Sequence, residues 1–303
     1  MLIGNTMAKL MFAIVIGYYL NKKDIMNTEV NSKVSSIIIQ IACPCLIIGS
    51  VSSMVGGSKG DALYLLMIGV LIYIAVPILS WVITGVLPIK KNKKTIQCML
   101  MFSNCGFMAL PIVQSIFGND AIFYNTLLHM PYNLLFFTFG AYLLAKDGEG
   151  DYKFEAKRLL SVGVISSLAA IVIYFGNIQL PSFVTESCSF IGTIVTPLSM
   201  ISIGSSIADY PIKEIISDKK LYIISFLRLI IIPVLTYVIL SLFVENQMIV
   251  QMATITLGMP VGSMVAMGAN EYHGDVRMAA FGVALSTILS IATIPVMLML
   301  LGV

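Results

Sequence analysis

The sequence predicts an all-α integral membrane protein of ten transmembrane helices, a 5+5 inverted repeat in which helices four and nine are broken and cross each other. Three observations predict it. Apolar residues make up 58% of the 303-residue chain and charged residues only 11%, against roughly 25% charged in a soluble domain. The apolar residues fall into repeated runs long enough to cross a hydrocarbon core. The basic residues gather at alternate connections, as they do in chains that weave through a bilayer.

Ten apolar runs can be marked: 2–20, 34–55, 62–87, 96–117, 122–145, 159–177, 183–208, 221–244, 249–270 and 276–300. The first lacks a basic start and a small-residue cleavage site, so it is expected to stay as a span rather than be removed as a signal peptide. Lys22, Lys23 and Lys33 follow run one, and Lys90, Lys91, Lys93 and Lys94 follow run three. Lys146, Lys153, Lys157 and Arg158 follow run five, Lys213, Lys219 and Lys220 follow run seven, and Arg277 follows run nine. That places fifteen of the eighteen basic residues on one side. The positive-inside rule makes that side cytoplasmic and puts both termini outside a cell membrane that the chain crosses many times. The five cysteines lie mostly within apolar runs and read as small packing residues, not as a disulfide frame or metal site.

The charged connection 146–158 divides the chain into a first five-helix repeat, 1–145, and a second, 159–303. Pro77 in "YIAVPILSWVIT" matches Pro233 in "LIIIPVLTYVIL" at an offset of 156. Pro44 matches Pro197 at 153, and Val15 matches Val172 at 157. Five is an odd number of spans, so the second copy must enter from the opposite side. The repeat is therefore inverted, an arrangement found in secondary transporters.

Runs four and nine should not look as they do if lipid surrounds them. Gly258, Pro260, Gly262 and Gly268 crowd the middle of run nine. Proline removes a backbone donor and clashes with the carbonyl four residues back. Hydrocarbon cannot repair that loss, so broken backbone survives only against protein or beside a wet cavity. In run four, Ser103, Asn104, Cys105 and Gly106 interrupt the apolar stretch, with Pro111 seven residues after Asn104. A break there leaves two places for it, Ser103–Asn104 or Pro111. Each broken helix ends twice, offering N–H groups and the positive dipole end from one half and carbonyls from the other. Two such helices crossing near mid-membrane hold a small anion with few formal charges.

The polar census at membrane depth is short: Gln40, Ser103, Asn104, His129, Asn133, Ser202, Ser205, Arg228, Ser263 and Asn270. Asn104 is the leading ligand, its amide facing a carboxylate, with Ser103, Cys105 and Gly106 beside it and Pro260, Gly262 and Ser263 at the second break. The competing role for these residues is hydrogen bonding between helices. His129, Asn133, Ser202 and Arg228 are candidates for coupling or for supporting the site. His129 titrates near physiological pH in the free side chain and suits a proton carrier, or serves as a hydrogen-bonded structural group. Arg228 lies eight residues from Lys220, where snorkelling to the interface is the simpler role and substrate attraction the other.

"GMPVGSMVAMGANEYHGD", "SNCGFMALPIVQSIFGND" and "TPLSMISIGSSIAD" resemble the ninth, fourth and seventh helices of the auxin efflux carrier family, which includes plant auxin exporters and bacterial malate or malonate permeases. The likeness runs over essentially the whole chain. It implies that Asn104 and Pro260 mark the crossover and that Asn104 touches substrate. It also implies a scaffold of helices one, two, six and seven, often dimeric, and a transport domain of helices three to five and eight to ten that moves as a rigid body. Ser103 stands where plant members carry a proline, and their long central loop is missing, which points away from auxin itself.

The expectation is a secondary transporter for a small organic anion, a mono- or dicarboxylate such as malate or malonate, working by uniport or proton coupling, embedded in lipid and homodimeric. It has no cofactor, no metal and no nucleic-acid partner. The first alternative is a sodium-coupled organic anion symporter of the kind that carries bile acids. A receptor is disfavoured by the inverted repeat, and a channel, the less expected alternative, is separated from a carrier by counting the charges moved per substrate. A membrane-embedded enzyme is disfavoured because only two histidines are present, one of them deep, with no clustered carboxylates.

Overall fold

The computed structural model describes residues 2–52, 59–89, 91–118, 120–147, 162–209, 211–272 and 274–303. Most of the 146–158 connection, together with His273, lies outside them. The chain is all-α. Among the described residues six helical stretches are long and apolar enough to cross a membrane: Thr28–Val51, Lys59–Val86, Ala121–Asp147, Ser182–Ala208, Lys219–Phe243 and Val276–Leu301. Val162–Phe175 and Gln247–Leu257 are shorter apolar helices.

In order, the helices are α1 (Leu2–Lys22), α2 (Thr28–Ile37), α3 (Cys43–Ser52), α4 (Lys59–Val86), α5 (Lys93–Met101), α6 (Leu110–Phe117), α7 (Asp120–Leu135) and α8 (Ala141–Asp147). There follow α9 (Val162–Phe175), α10 (Ser182–Gly192), α11 (Val195–Ala208), α12 (Ile212–Ser217), α13 (Lys219–Phe226), α14 (Ile232–Phe243), α15 (Gln247–Leu257), α16 (Ser263–Glu271) and α17 (Val276–Leu301). Ends are set by side-chain caps where the sequence supplies them. Asn27 Oδ1 accepts from the Val30 N–H at 3.1 Å, and the carboxylate of Asp275 accepts from the Met278 N–H at 2.8 Å.

Several expected spans are jointed rather than straight. Wider π-helical turns occupy Ile38–Ala42, Cys105–Ala109 and Leu227–Ile231, and each ends two residues before a proline: Pro44, Pro111 and Pro233. The extra residue in such a turn moves carbonyls out of the path of the proline ring, so the helix continues without a clash. A fourth π turn, Phe136–Gly140, joins α7 to α8. By contrast Pro77 and Pro295 sit inside the long helices α4 and α17.

The chain forms two compact units. The first takes Met1–Met67, Gly106–Met130 and Leu160–Pro211. In it α1 and α11 lie backbone to backbone, because a Cβ on Gly17 would overlap the Ile201 carbonyl and one on Gly204 the Ile14 carbonyl. Small residues at a helix contact are the usual device where lipid removes any hydrophobic drive between helices. Gly49 and Gly192 play the same part between α3 and α10, against Ser189 and Leu46. A polar seam ties α2 to α11: Ser202 Oγ donates to Asn31 Oδ1 at 2.6 Å, and Asn31 Nδ2 donates to Ser206 Oγ at 2.8 Å.

The second unit takes Ile68–Cys105, Pro131–Leu159 and Ile212–Val303. Its helix α5 is buried along nearly its whole length, from Thr95 to Met101. Gln97, 3% exposed, donates to Thr84 Oγ1 at 2.8 Å, and its carbonyl accepts from Ser80 Oγ at 3.0 Å. These bonds pin α5 to α4. The outer faces of α4 and α14 are apolar and open, with Leu71, Trp81 and Val86 on one and Leu242 and Phe243 on the other. Broad apolar faces of this kind belong against lipid or another protein surface.

Candidate functional site

Both suspect stretches are broken, and the two breaks meet inside the second unit. Helix α5 stops at Met101, Phe102 turns extended (φ −107°, ψ 104°), and helical structure resumes at Cys105. The interruption is therefore at Ser103–Asn104, while Pro111 follows the wider turn Cys105–Ala109, which accommodates its ring without breaking the helix. In the other stretch α15 ends at Leu257 and α16 begins at Ser263, leaving Gly258–Gly262 non-helical.

The extended residues pair as a single antiparallel bridge, Ser103 against Val261. Asn104 N–H donates to the Pro260 carbonyl at 2.8 Å, and Gly262 N–H donates to the Phe102 carbonyl at 2.9 Å. Val261 N–H is taken by Ser286 Oγ of α17 at 3.1 Å. The N–H groups of Asn104, Val261 and Gly262, freed by the breaks, are thus satisfied by the other break or by α17, which is what a low-dielectric interior demands. Gly262 is required for this approach: a Cβ there would stand 2.8 Å from the Ser103 carbonyl oxygen and 3.1 Å from Tyr132 Oη.

This geometry changes which donors face a solute. The sequence offers the N–H groups beside Asn104 and Gly262 as anion ligands, but the amides of these two residues are taken up by the crossing. What remains is side chains and the start of α16. That helix has Gly262 as its N-cap and no side chain capping it, so its positive end stays uncompensated. Asn104 is 3% exposed, and Ser103 is 1% exposed with a buried Oγ that has no hydrogen-bond partner. Cys105, Gly106 and Ser263 are half-buried, and Pro260 is buried. An aromatic wall backs the crossing: Tyr132 meets Phe102 edge-on at 5.2 Å and Tyr73 at 5.9 Å, and Phe102 meets Phe136 at 5.0 Å.

The four supporting candidates separate. His129, 8% exposed, belongs to the first unit and donates from Nδ1 to the Asn125 carbonyl one turn back in its own helix at 2.7 Å. Ser202 also belongs there and is held in the α2–α11 seam. Asn133 lies in α7, its side chain outside the described residues. Arg228 corrects the sequence reading. It does not snorkel to the interface but is wholly buried in the second unit, on the Leu227–Ile231 π turn, where Nη1 donates to the Leu100 carbonyl at 3.1 Å. The π turn rotates its side chain inward, and the carbonyl end of α5 receives the cation.

Sequence reasoning missed Ser286, Tyr132 and Tyr73. Ser286 carried a faint signal as a hydroxyl among small apolar residues in "ALSTILS". The two tyrosines carried none, since buried aromatics are ordinary core.

The family model described as "Membrane transport protein" matches residues 2–162 and 152–298. The chain is 23% identical over 290 residues to an uncharacterized transporter of Methanocaldococcus jannaschii, covering 93% of each. It is 24% identical over 310 residues to an uncharacterized transporter of Methanothermobacter thermautotrophicus, covering 96% of this chain and 95% of that one. With almost its whole length matched, this multi-pass chain belongs to the Membrane transport protein family, that of the auxin efflux carriers, and is a transporter, not an enzyme.

Proposed function

We infer that the protein is a secondary carrier of a small organic anion, a mono- or dicarboxylate such as malate or malonate, operating by uniport or proton coupling. The observation that carries this is the crossing itself. Two broken helices that satisfy each other's backbone leave Asn104, Ser103 and the open N-terminus of α16 as polar groups in a buried apolar setting. Neutral donors beside a positive helix end favour a carboxylate over a cation or a neutral solute. Pro260 and Gly262 set the close approach, and Ser263, Cys105 and Gly106 flank it. No Asp, Glu, Lys or Arg lies within the two breaks, residues 102–106 and 258–263.

The same reading takes the chain as a 5+5 inverted repeat of ten spans in the cell membrane, homodimeric, with both termini outside. Helices three to five and eight to ten then shift as a body against one, two, six and seven. Division of the chain into two compact units, each drawn from three separate segments, supports a rigid-body step. Residues 106–130, expected to travel with the moving part, group with the first unit.

A thermal-shift screen of carboxylates against purified protein, with and without sodium, tests the reading. A ligand that binds only the folded state raises the melting temperature by mass action. The expected result is a concentration-dependent rise with malate or malonate that does not need sodium. A rise seen only with sodium supports a symporter instead, and no rise across the panel removes the carboxylate reading.

A further inference from the structure

Arg228 carries more donors than the fold uses. The side chain is 0% exposed; Nη1 binds the Leu100 carbonyl, while Nε and Nη2 are buried with no hydrogen-bond partner. Those two atoms share one side of the planar guanidinium. Their N–H bonds run nearly parallel, at the spacing of the two oxygens of a carboxylate. No Asp or Glu is among the buried residues described, so none of them supplies a buried counter-charge. The carbonyl end of α5 explains why a cation is tolerated there, but it accounts for one donor only.

Leu100, whose carbonyl takes Nη1, stands two residues before Phe102, whose own carbonyl accepts from the Gly262 N–H across the crossing. Arg228 is therefore held against the end of α5 that runs into the crossing, within the same unit. Ser103 Oγ, also buried without a hydrogen-bond partner, lies on the same extended segment as Asn104.

We propose that the free Nε–Nη2 edge of Arg228 receives a carboxylate of the transported anion and makes the carrier selective for charged over neutral solutes. This rests on the anion-carrier reading and deepens it: the crossing positions the solute, and Arg228 supplies the counter-charge. A single fork with one positive charge fits a planar carboxylate better than a phosphate or sulfate.

The test compares wild type with Arg228→Met, Arg228→Gln and Arg228→Lys, using malonate and its neutral diamide, malonamide, as probes in thermal shift and in proteoliposome uptake. Methionine removes a buried unpaired charge, so the unliganded Arg228→Met protein melts at or above the wild-type temperature. Its malonate response falls on the order of tenfold to a hundredfold, carried by KM, and the malonate-to-malonamide preference collapses. Lysine keeps the charge and loses the fork, so Arg228→Lys keeps the preference with a raised KM. An unchanged KM and preference in Arg228→Met overturns the proposal. If Arg228→Met and Arg228→Gln fail to fold, an unchanged KM in folded Arg228→Lys overturns it. Loss of uptake in Asn104→Ala, with every Arg228 variant normal, sinks this inference alone. A wild type that moves no carboxylate sinks the carrier reading as well.

Discussion

Adding one methyl group at Gly262 tests the crossing. In Gly262→Ala the new Cβ falls 2.8 Å from the Ser103 carbonyl oxygen, a separation that real Cβ contacts essentially never show. The obstacle is backbone, which cannot swing away, so the two extended strands must part by several tenths of an ångström. The bonds Asn104 N–H to Pro260 and Gly262 N–H to Phe102, now 2.8 and 2.9 Å, lengthen together. Overpacking of this kind costs about 1–3 kcal/mol. Weakening two buried hydrogen bonds adds on the order of 1 kcal/mol each, with no water to compensate. A total of about 3 kcal/mol shifts the balance between closed and opened crossing roughly a hundredfold. The assay is melting of the purified protein with hydrogen exchange read at the amides of Asn104 and Gly262. Both amides should be strongly protected in wild type and exchange far faster in Gly262→Ala, with a lowered melting temperature. Gly106→Ala is the matched control, because nothing lies within 4 Å of its Cβ position. Equal melting and equal protection in Gly262→Ala and wild type would refute the reasoning.

Ser286→Ala should orphan the Val261 N–H and destabilise the protein by about 1–3 kcal/mol, while Ser290→Ala, whose hydroxyl only bonds back to Thr287 of its own helix, should cost about 1 kcal/mol or less; parallel melts compare them. Gly204→Val places a side chain on the Ile14 carbonyl, so α1 and α11 cannot close and the loss should reach roughly 3 kcal/mol, seen as poor folded yield in size-exclusion profiles. Asn31→Leu leaves Ser202 and Ser206 without their shared partner and should lower the melting temperature, yet leave the KM of any transported carboxylate unchanged, since Asn31 serves the α2–α11 seam.

How much of this was legible in the sequence follows from what each feature depends on. Both breaks could be read because their causes are local. Pro260 with its glycines, and the polar run Ser103–Gly106, cannot continue a lipid-facing helix. Placing the first break at Ser103–Asn104 rather than Pro111 needed the structure, because the wider turn at Cys105–Ala109 absorbs Pro111 without a break, and nothing local announces that turn. The pairing of 102–104 with 260–262 is contact between residues about 160 positions apart, and no local pattern encodes it. It also reverses a local inference, since the very amides that look free at a helix break are bonded across it.

Arg228 was misread for a related reason. Eight residues of separation from Lys220 favour snorkelling on a regular helix, but the π turn before Pro233 changes the direction of everything on that turn. The apolar run that begins at 34 misses the first turns of α2, which starts at Thr28 behind its Asn27 cap, and the joints at 38–42, 136–140 and 227–231 were not legible either. A proline announces that a helix will be perturbed, not whether it will kink, widen or break.

Uptake of radiolabelled malate and malonate into liposomes holding purified protein bears most directly on the central claim, that two broken helices hold a carboxylate where they cross. The account predicts saturable uptake by wild type without added sodium, and its loss in Asn104→Ala protein that still melts near the wild-type temperature. Wild-type vesicles that take up no carboxylate, or Asn104→Ala vesicles that match them in rate and KM, would contradict it.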